Sequence, residues 1–404
     1  MDNNLFIPRS ELELRWNKLR QKWQELKFDS EGIFIFSRPI IYYFTGTWAN
    51  GLLFCPYEGE PVLMCRRGVE RAKQESSLKN ICYFYSFSEL EGILKDYGYK
   101  LSNPIGVNQK GLSWDLANLF QTKLKDKQFI SADNLLALTR AVKTEYELYY
   151  LKEAGARHNK GLTQLLPEQI YPGLSEYEIA VKVWEVFFSL EHCGMMRMQA
   201  CGEEIFLGHI AAGDSGVYGS AFNGPLCLRG VHPLVPHMGS PNKIWQKNEP
   251  LSIDVGFGYK GYHTDKTQVY FSKDYTPDKK FLDAQKCCQD IQELARQMLR
   301  PGVLPEEIYF NAIEFAKKAG FEQGFMGLQE NKVRFVGHGI GLFIDEFPAL
   351  AAKVKIPLEK NMVIALEPKI GFPHWGMIGV ENTFVVTEQG GICLTGENFD
   401  PIYV

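Results

Sequence analysis

Residues 253–271 read IDVGFGYKGYHTDKTQVYF and are typical of a β-hairpin that carries two aspartates, Asp254 and Asp265. Apolar residues alternate with other residues on both sides of a glycine-rich centre, as in two paired strands. A two-residue turn at Tyr259-Lys260 would place Asp254 directly opposite Asp265 on one face of the hairpin. The Cβ atoms of opposed residues lie about 5 Å apart, a distance at which like charges repel. The hairpin therefore predicts a cation between the carboxylates, in the first place a metal ion.

The glycines of this hairpin also match a second pattern, because Gly256, Gly258 and Gly261 have the G-x-G-x-x-G spacing of dinucleotide-binding proteins. That pattern requires a helix to begin at the glycines. The residues that follow, YHTDKTQVYF, are β-branched, aromatic and alternating, which favours a strand. We therefore interpret the glycines as hairpin residues and expect no nucleotide cofactor.

The composition of the 404-residue chain is that of an ordinary globular protein with two to three domains, since 45% of its residues are hydrophobic and 23% charged. A net charge of −4 makes neither nucleic acid nor an anionic membrane an expected partner. No apolar run reaches the roughly 18 residues of a membrane span. The start of the sequence lacks a signal-peptide pattern, and the nine cysteines are scattered without a CxxC pair. These features predict a cytoplasmic protein.

The organisation along the chain indicates two domains. Helical and strand-like segments alternate to about residue 135, which predicts a small α/β domain. The segment RAVKTEYELYYLKEAGA at 140–156 is interpreted as a linker that runs into a helix, so the predicted domains are 1–140 and 141–404. The strand-like runs of the first domain are Gly32–Phe36, Ile40–Phe44, Gly51–Cys55 and Pro61–Cys65.

The second domain contains a weak internal repeat. PGLSEYEI at 172–179 and PGVLPEEI at 301–308 share Pro, Gly, Glu and Ile at equal offsets. Each copy follows one helical pattern and begins another, and strand-rich sequence comes after it. Two independent helix starts with acidic first turns would look the same. A duplicated αβ unit is the second interpretation.

Three other features carry groups that bind metals. His338 lies among glycines in VGHGIGL, where a tight backbone crossing alone would explain the motif. Glu367 and Glu381 lie in two apolar runs that mirror each other about residue 374, so they face each other if the runs pair. His237, in VPHMGSPNK, is by itself most simply a loop residue.

Taken together, Asp254, Asp265, His338, Glu367 and Glu381 form a hard, oxygen-rich ligand set. Such a set suits Mn(II), Fe(II), Co(II) or Zn(II), and its formal charge suits two ions better than one. Two ions about 3.5–4 Å apart can share a water molecule, lower its pKa and polarise a carbonyl group. This chemistry is that of amide hydrolysis.

These residues resemble those of the pita-bread metallopeptidases, which include Xaa-Pro aminopeptidase and prolidase, with creatinase as a relative. The spacings match, with 11 residues from Asp254 to Asp265, 29 from His338 to Glu367, and 14 from there to Glu381. Segments IIYYFTGT at 40–47 and RAVKTEYEL at 140–148 resemble the creatinase-type N-terminal domain. The resemblance implies an α/β creatinase-like domain over 1–140 and an α+β pita-bread catalytic domain with a pseudo-twofold αβ repeat over 141–404.

The resemblance also implies roles for the ligand set. Asp254 would hold one metal ion, Asp265 and Glu381 would bridge both ions, and His338 with Glu367 would complete the second site. Glu367 would also be the general base. The implied cofactor is two divalent ions, manganese in the first place, with cobalt, zinc or iron as alternatives, and the implied assembly is a homodimer.

Three further positions concern the substrate. By resemblance, His237, which is 17 residues before Asp254, would be a catalytic histidine near the substrate N-terminus and the S1′ side. The family usually has a second histidine seven residues after the ligand histidine, where this chain has Asp345. Proline peptidases usually have an arginine two residues before the last glutamate, where this chain has Gly379. Asp345 would disfavour a neighbouring oxyanion, and Gly379 argues against strict dipeptidase activity.

Three functions follow as hypotheses. The first is a metal-dependent Xaa-Pro aminopeptidase that removes the residue before a proline at position two. The second is a hydrolase or lyase of a small non-peptide molecule, which Asp345 would bias towards cationic substrates. The third is a metal-binding homologue with weakened catalysis.

Overall fold

In the computed structural model, which describes residues 6–199 and 205–404, the chain forms two units, Met1–Arg140 and Ala141–Val404. The first unit is built on a six-stranded mixed sheet with strand order β4-β3-β2-β1-β5-β6. Its strands are β1 (Gly32–Ile35), β2 (Asn50–Pro56), β3 (Val62–Arg67), β4 (Ile81–Tyr83), β5 (Ile105–Val107) and β6 (Phe129–Ser131). Its helices are α1 (Arg9–Glu25), α2 (Arg38–Thr45), α3 (Val69–Glu75), α4 (Leu90–Asp96), α5 (Trp114–Lys123) and α6 (Asp133–Ala141).

One predicted strand of this unit is wrong, because Ile40–Phe44 lies in helix α2. Pro39 in the first turn presets a helical backbone angle, and Gly46 ends the helix in a left-handed conformation with φ 77°. Apolar residues of this run are buried in the helix, as they would be in a buried strand. The apolar character of the run therefore did not distinguish a helix from a strand. The other three predicted strands correspond to β1, β2 and β3.

The described residues of the second unit form three sheets and four α-helices. The sheets have the orders β17-β9-β8-β7, β11-β10-β12-β15-β16 and β13-β14. The strands are β7 (Gly208–Ala212), β8 (Leu251–Tyr259), β9 (Tyr262–Phe271), β10 (Phe335–Gly339), β11 (Glu346–Ala351), β12 (Val363–Leu366), β13 (Lys369–Phe372), β14 (Gly376–Gly379), β15 (Asn382–Thr387), β16 (Gly390–Cys393) and β17 (Ile402–Tyr403). The helices are α7 (Glu145–Lys160), α8 (Glu176–Ser189), α9 (Lys279–Met298) and α10 (Pro305–Lys318).

The two copies of the internal repeat occupy equivalent positions in this unit. Each begins a 14-residue helix, α8 or α10, whose first residue comes three positions after a glycine with positive φ, Gly173 or Gly302. One core packs α7 and α8 against β7, β8 and β9, and another packs α9 and α10 against strands β10 to β16. The duplicated αβ unit, rather than two unrelated helix starts, is thus the better interpretation of the repeat.

Two simple properties of the described part of the chain bear on the sequence expectations. Within residues 6–199 and 205–404, no helix has both the length and the apolar character that a bilayer crossing needs. The cysteines of the same ranges form no disulfide.

Candidate metal centre

The β8–β9 hairpin carries Asp254 and Asp265 on one face, but not directly opposite each other. Asp254 pairs with Thr267 and Asp265 with Gly256, because the turn is at Lys260-Gly261 and not at Tyr259-Lys260. Both turn residues have positive φ, 50° and 87°, as a type I′ hairpin turn requires. The predicted register is therefore wrong by two residues. Since side chains alternate with a period of two, both carboxylates still share a face as diagonal neighbours.

The glycines of the dinucleotide-like pattern lie in this hairpin, as the sequence indicated. Gly256 and Gly258 are strand residues of β8, and Gly261 is in the turn. An added Cβ at Gly256 would come within 2.0 Å of the Met196 side chain, so close packing explains that glycine. No helix begins at the pattern, and the interpretation as hairpin residues is confirmed.

The second predicted pair, Glu367 and Glu381, faces each other in the register expected from the sequence. Leu366 pairs with Asn382 on one side of the two glutamates, and Lys369 pairs with Gly379 on the other. Thr267 of β9 joins this pair to the aspartate hairpin. Its backbone N–H donates to the carbonyl oxygen of Glu381 at 3.2 Å, and its Oγ1 donates to Glu381 Oε2 at 3.1 Å.

His338 on β10 completes the group of predicted ligands. Its Nδ1 lies 3.1 Å from the carbonyl oxygen of Gly339, an arrangement that places a proton on Nδ1. Its Nε2 lies 3.6 Å from Glu367 Oε1, 3.7 Å from Glu381 Oε1 and 4.0 Å from Asp265 Oδ2. Three residues each offer one ligand atom, and these three atoms lie within 4.8 Å of one another: Asp265, His338 and Glu381. This arrangement fits a single divalent ion.

Lys369 lies among the same carboxylates, and the sequence reasoning did not identify it. Its Nζ is 2.7 Å from Glu381 Oε2, 3.2 Å from Glu367 Oε2 and 3.3 Å from Asp254 Oδ2. The residue is 1% exposed. A signal was present, because Lys369 is two residues after Glu367 in an extended segment and so points to the same face.

Burial and neighbouring charges shift the pKa values of the residues in this group. Burial and the nearby Glu381 raise the pKa of Asp265 to about 8. Burial lowers the pKa of His338, but the surrounding carboxylates raise it more strongly, to about 10. Burial would raise the pKa of Glu381, but Lys369 and His338 lower it below its ordinary value. The pKa of Asp265 thus rises because burial and Glu381 disfavour its charge, and that of Glu381 falls because Lys369 and His338 favour its charge.

The ligand group lines a cavity of about 250 Å³ with mainly apolar walls. Asp345 is in this wall, and its Oδ1 accepts a hydrogen bond of 2.7 Å from the backbone N–H of Gln199. Its neighbour Glu346 is held by Lys143, whose Nζ lies 2.8 Å from Glu346 Oε2. Asp345, which the sequence predicted for the substrate pocket, thus lies in the cavity wall together with the ligand group. The described residues of the wall are Met198, Ile205, Leu207, Gly208, His209, Phe222, Asn223, Gly224, Asp254, Gly256, Asp265, Phe335, His338, Ile344, Asp345, Glu346, Ala349, Glu367 and Glu381.

Gly379 does not line the cavity in the described part of the structure. It faces Lys369 across the β13–β14 pair and has φ 151°. A Cβ at this position would come within 2.4 Å of the carbonyl oxygen of Pro368. A side chain at 379 would therefore collide with the strand that carries Lys369.

His209, and not His237, is the second histidine of the described cavity wall. His209 is the cross-strand neighbour of Asp254 on β7, and its ring stacks against that of His237 with 5.7 Å between the ring centroids. Nδ1 of His209 lies 3.1 Å from the carbonyl oxygen of Leu226, and its buried Nε2 has no hydrogen-bond partner among the described residues. Burial is the main cause that lowers the pKa of His209 to about 3. A contact of His237 with substrate stays a prediction.

Comparison with known proteins identifies the family of this chain. The profile of metallopeptidase family M24 matches residues 150–388, and that of the creatinase/prolidase N-terminal domain matches residues 15–142. An Xaa-Pro dipeptidase of Pyrococcus furiosus is 26% identical over 365 residues, which cover 90% of this chain and 92% of that protein.

Solved structures show the same fold. The Xaa-Pro dipeptidase from Bacillus anthracis has a TM-score of 0.78 at 21% identity, covering 97% of this chain and 100% of that one. The X-Pro aminopeptidase from Thermotoga maritima has a TM-score of 0.76 at 22% identity, covering 96% and 99%. The predicted fold, a creatinase-like N-terminal domain followed by a pita-bread catalytic domain, is confirmed. The family profile matches more than half of the chain. The chain therefore belongs to metallopeptidase family M24.

Proposed function

We propose that this metallopeptidase removes the N-terminal residue from peptides with proline at the second position. The observation that carries the proposal is the convergence of Asp265, His338 and Glu381 at one cavity wall, with ligand atoms within 4.8 Å. A divalent ion bound there, manganese in the first place, would lower the pKa of water and polarise a carbonyl group. The Xaa-Pro and X-Pro names of similar proteins support the proline specificity.

Glu367 is the residue that would move protons during hydrolysis. It lines the cavity and is 4% exposed, and its Oε1 lies beside His338 Nε2 at 3.6 Å. Burial and the neighbouring Glu381 raise its pKa above the ordinary value, although Lys369 opposes the shift. A carboxylate with a raised pKa is a stronger base. Glu367 would take a proton from the attacking water and return it to the leaving amine.

The charge of the cavity favours an aminopeptidase over a dipeptidase. A dipeptide substrate ends in a carboxylate close to the scissile bond, and a cationic side chain normally pairs with such a group. Among the described residues of the cavity wall there is no lysine or arginine. Asp345 instead adds a negative charge to this wall. Longer peptides carry their terminal carboxylate away from the site and avoid the repulsion.

The test compares a dipeptide with longer Xaa-Pro peptides of the same first residues. Protein that has been freed of metal and reloaded with Mn(II) is expected to cleave Xaa-Pro-Xaa tripeptides at least about tenfold faster than Xaa-Pro, because about 1.4 kcal/mol of repulsion corresponds to a tenfold effect. Chelator-treated protein serves as the control and is expected to be inactive. Faster cleavage of the dipeptide would reject the aminopeptidase assignment, and no cleavage with Mn(II), Co(II), Zn(II) or Fe(II) would reject the peptidase.

The neutral His209 is expected to accept a hydrogen bond from the substrate through Nε2. The substitution His209→Phe should raise KM for Xaa-Pro peptides about tenfold and leave kcat nearly unchanged, since one hydrogen bond contributes about 1 to 1.5 kcal/mol. Steady-state kinetics measures both constants. His192→Phe is the matched control, because His192 is also buried but does not belong to the described cavity wall. Equal changes in KM for the two variants would contradict this role.

A second function is favoured by one observation, the carboxylate of Asp345 in a wall without basic side chains among its described residues. Such a cavity would also suit a small cationic amide or betaine-like compound as substrate for hydrolysis or lysis. Activity on a panel of these compounds, without cleavage of Xaa-Pro peptides, would establish this alternative. A cytoplasmic location and a homodimer stay predictions.

A further inference from the structure

The ammonium group of Lys369 occupies one side of the ligand group. Three carboxylate oxygens surround its Nζ, at 2.7 Å for Glu381, 3.2 Å for Glu367 and 3.3 Å for Asp254. An ammonium group has three N–H donors, so each donor has one oxygen within reach. The side chain is 1% exposed, so bulk solvent does not compete for these contacts.

The remaining ligands lie on the other side of the group. Nε2 of His338 approaches Oε1 of both glutamates and Oδ2 of Asp265, whereas Lys369 approaches the Oε2 atoms. The atoms of Asp265, His338 and Glu381 that could bind one ion lie within 4.8 Å of one another. This half of the site supplies three ligand atoms for one divalent cation.

The two halves do not fit the pair of ions that the family resemblance implied. The ion assigned to Asp254 would require an oxygen of Asp254 together with Glu381, and both residues already contact the Lys369 ammonium. A divalent ion placed between them would lie beside a buried positive charge. Like charges at such short distances repel strongly where little water is present to screen them.

We propose that this protein binds one catalytic metal ion per chain, at Asp265, His338 and Glu381, and that the ammonium of Lys369 replaces the second ion. The inference rests on the proposed function in one respect, since it takes the site to bind metal. Lys369 neutralises Asp254 and fixes the two glutamates by charge-assisted hydrogen bonds. It is a positioning residue, and it leaves the site with one exchangeable cation.

The backbone opposite Lys369 agrees with this role. Gly379 is its direct partner on β14, and any side chain at 379 would come within 2.4 Å of the Pro368 carbonyl oxygen. The position where proline peptidases usually have an arginine is therefore closed here. The cation of this strand pair comes from Lys369 on the facing strand instead.

Metal stoichiometry tests the proposal without an activity measurement. Protein freed of metal is titrated with Mn(II) by calorimetry, and the metal retained after gel filtration is measured by elemental analysis. We expect one Mn(II) per wild-type chain, with the electron paramagnetic resonance spectrum of isolated Mn(II). Two tightly bound ions in the wild type, or the spectrum of a spin-coupled pair, would overturn the proposal. This measurement decides the question even if variants fail to fold.

The variant Lys369→Ala sharpens the test. Removal of the ammonium leaves room and three carboxylate oxygens, so we expect a second Mn(II) to bind and a spin-coupled spectrum to appear. Lys266→Ala is the matched control, because Lys266 is also 1% exposed but its Nζ bonds to Asn382 Oδ1 at 2.8 Å. This control should keep one ion. A folded Lys369→Ala protein that still binds only one ion would overturn the proposal that Lys369 replaces a second ion.

The outcome separates this inference from the proposed function. One bound ion without Xaa-Pro cleavage would reject the peptidase and leave the stoichiometry intact. Two bound ions with Xaa-Pro cleavage would reject the role of Lys369 and leave the peptidase intact. A folded wild type that retains no ion would overturn both.

Discussion

The substitution Asp265→Asn is expected to lower kcat/KM for Xaa-Pro peptides by more than about 10³-fold, which corresponds to about 4 kcal/mol. Asp265 belongs to the three residues whose ligand atoms fit one ion, and it is 9% exposed. The amide keeps the shape of the side chain but loses its negative charge and is a weaker ligand for a hard cation. The variant should therefore bind Mn(II) weakly and lose hydrolysis with it.

Steady-state kinetics and calorimetric Mn(II) titration on the same preparation check this prediction. Asp283→Asn is the control, since Asp283 is on the outer surface of α9, where it pairs with Lys279. The control should retain activity and metal. Full activity in Asp265→Asn, or loss of activity with undiminished Mn(II) affinity, would show that Asp265 does not act through the ion.

The pairing of the site residues could be predicted largely from the alternation of side chains in strands. Glu367 and Glu381 face each other as expected, because the apolar runs on both sides leave one register. For Asp254 and Asp265 the face was right and the register wrong. The register depends on which residues adopt positive φ, and Lys260-Gly261 does so more readily than a turn without glycine.

The remainder of the site depends on tertiary structure that no local pattern contains. Lys369 was visible as a residue on the same face as Glu367, but its contact with Asp254 joins two separate hairpins. His209 lies in the apolar strand β7 and reaches the cavity only because β7 pairs with β8. The spacing of His237 matched the family, and its ring stacks against that of His209, which is in the described cavity wall.

The charge balance of the site links these residues to the substrate. Four carboxylates of the ligand group face Lys369 and His338, and one divalent ion together with Lys369 would leave this group with a single net negative charge when His338 is a neutral ligand. Asp345 is not a member of this ligand group and lies in the same cavity wall. Its carboxylate is therefore next to any molecule that enters the cavity. The charge of the preferred substrate should follow from this residue.

The substitution Asp345→Asn is expected to raise kcat/KM about tenfold for Xaa-Pro peptides whose first side chain is neutral, and to lower it about tenfold for Xaa-Pro peptides whose first side chain is cationic. An anion disfavours the developing oxyanion, and a single donor at such a place changes rates by about 10² to 10³. Asparagine retains an Oδ1 that can accept the hydrogen bond from the Gln199 N–H, seen at 2.7 Å for Asp345. The backbone should therefore stay in place while the charge is lost.

The ratio of the two kcat/KM values isolates the charge effect, because a general loss of folding or metal would lower both values together. We expect the ratio to change about 100-fold in Asp345→Asn, or about 2.7 kcal/mol, and to stay near its wild-type value in Asp345→Glu. Asp345→His, which introduces the usual residue of the family, should shift the ratio in the same direction as asparagine. A ratio that is unchanged in both neutralising variants would show that Asp345 does not select the charge of the substrate.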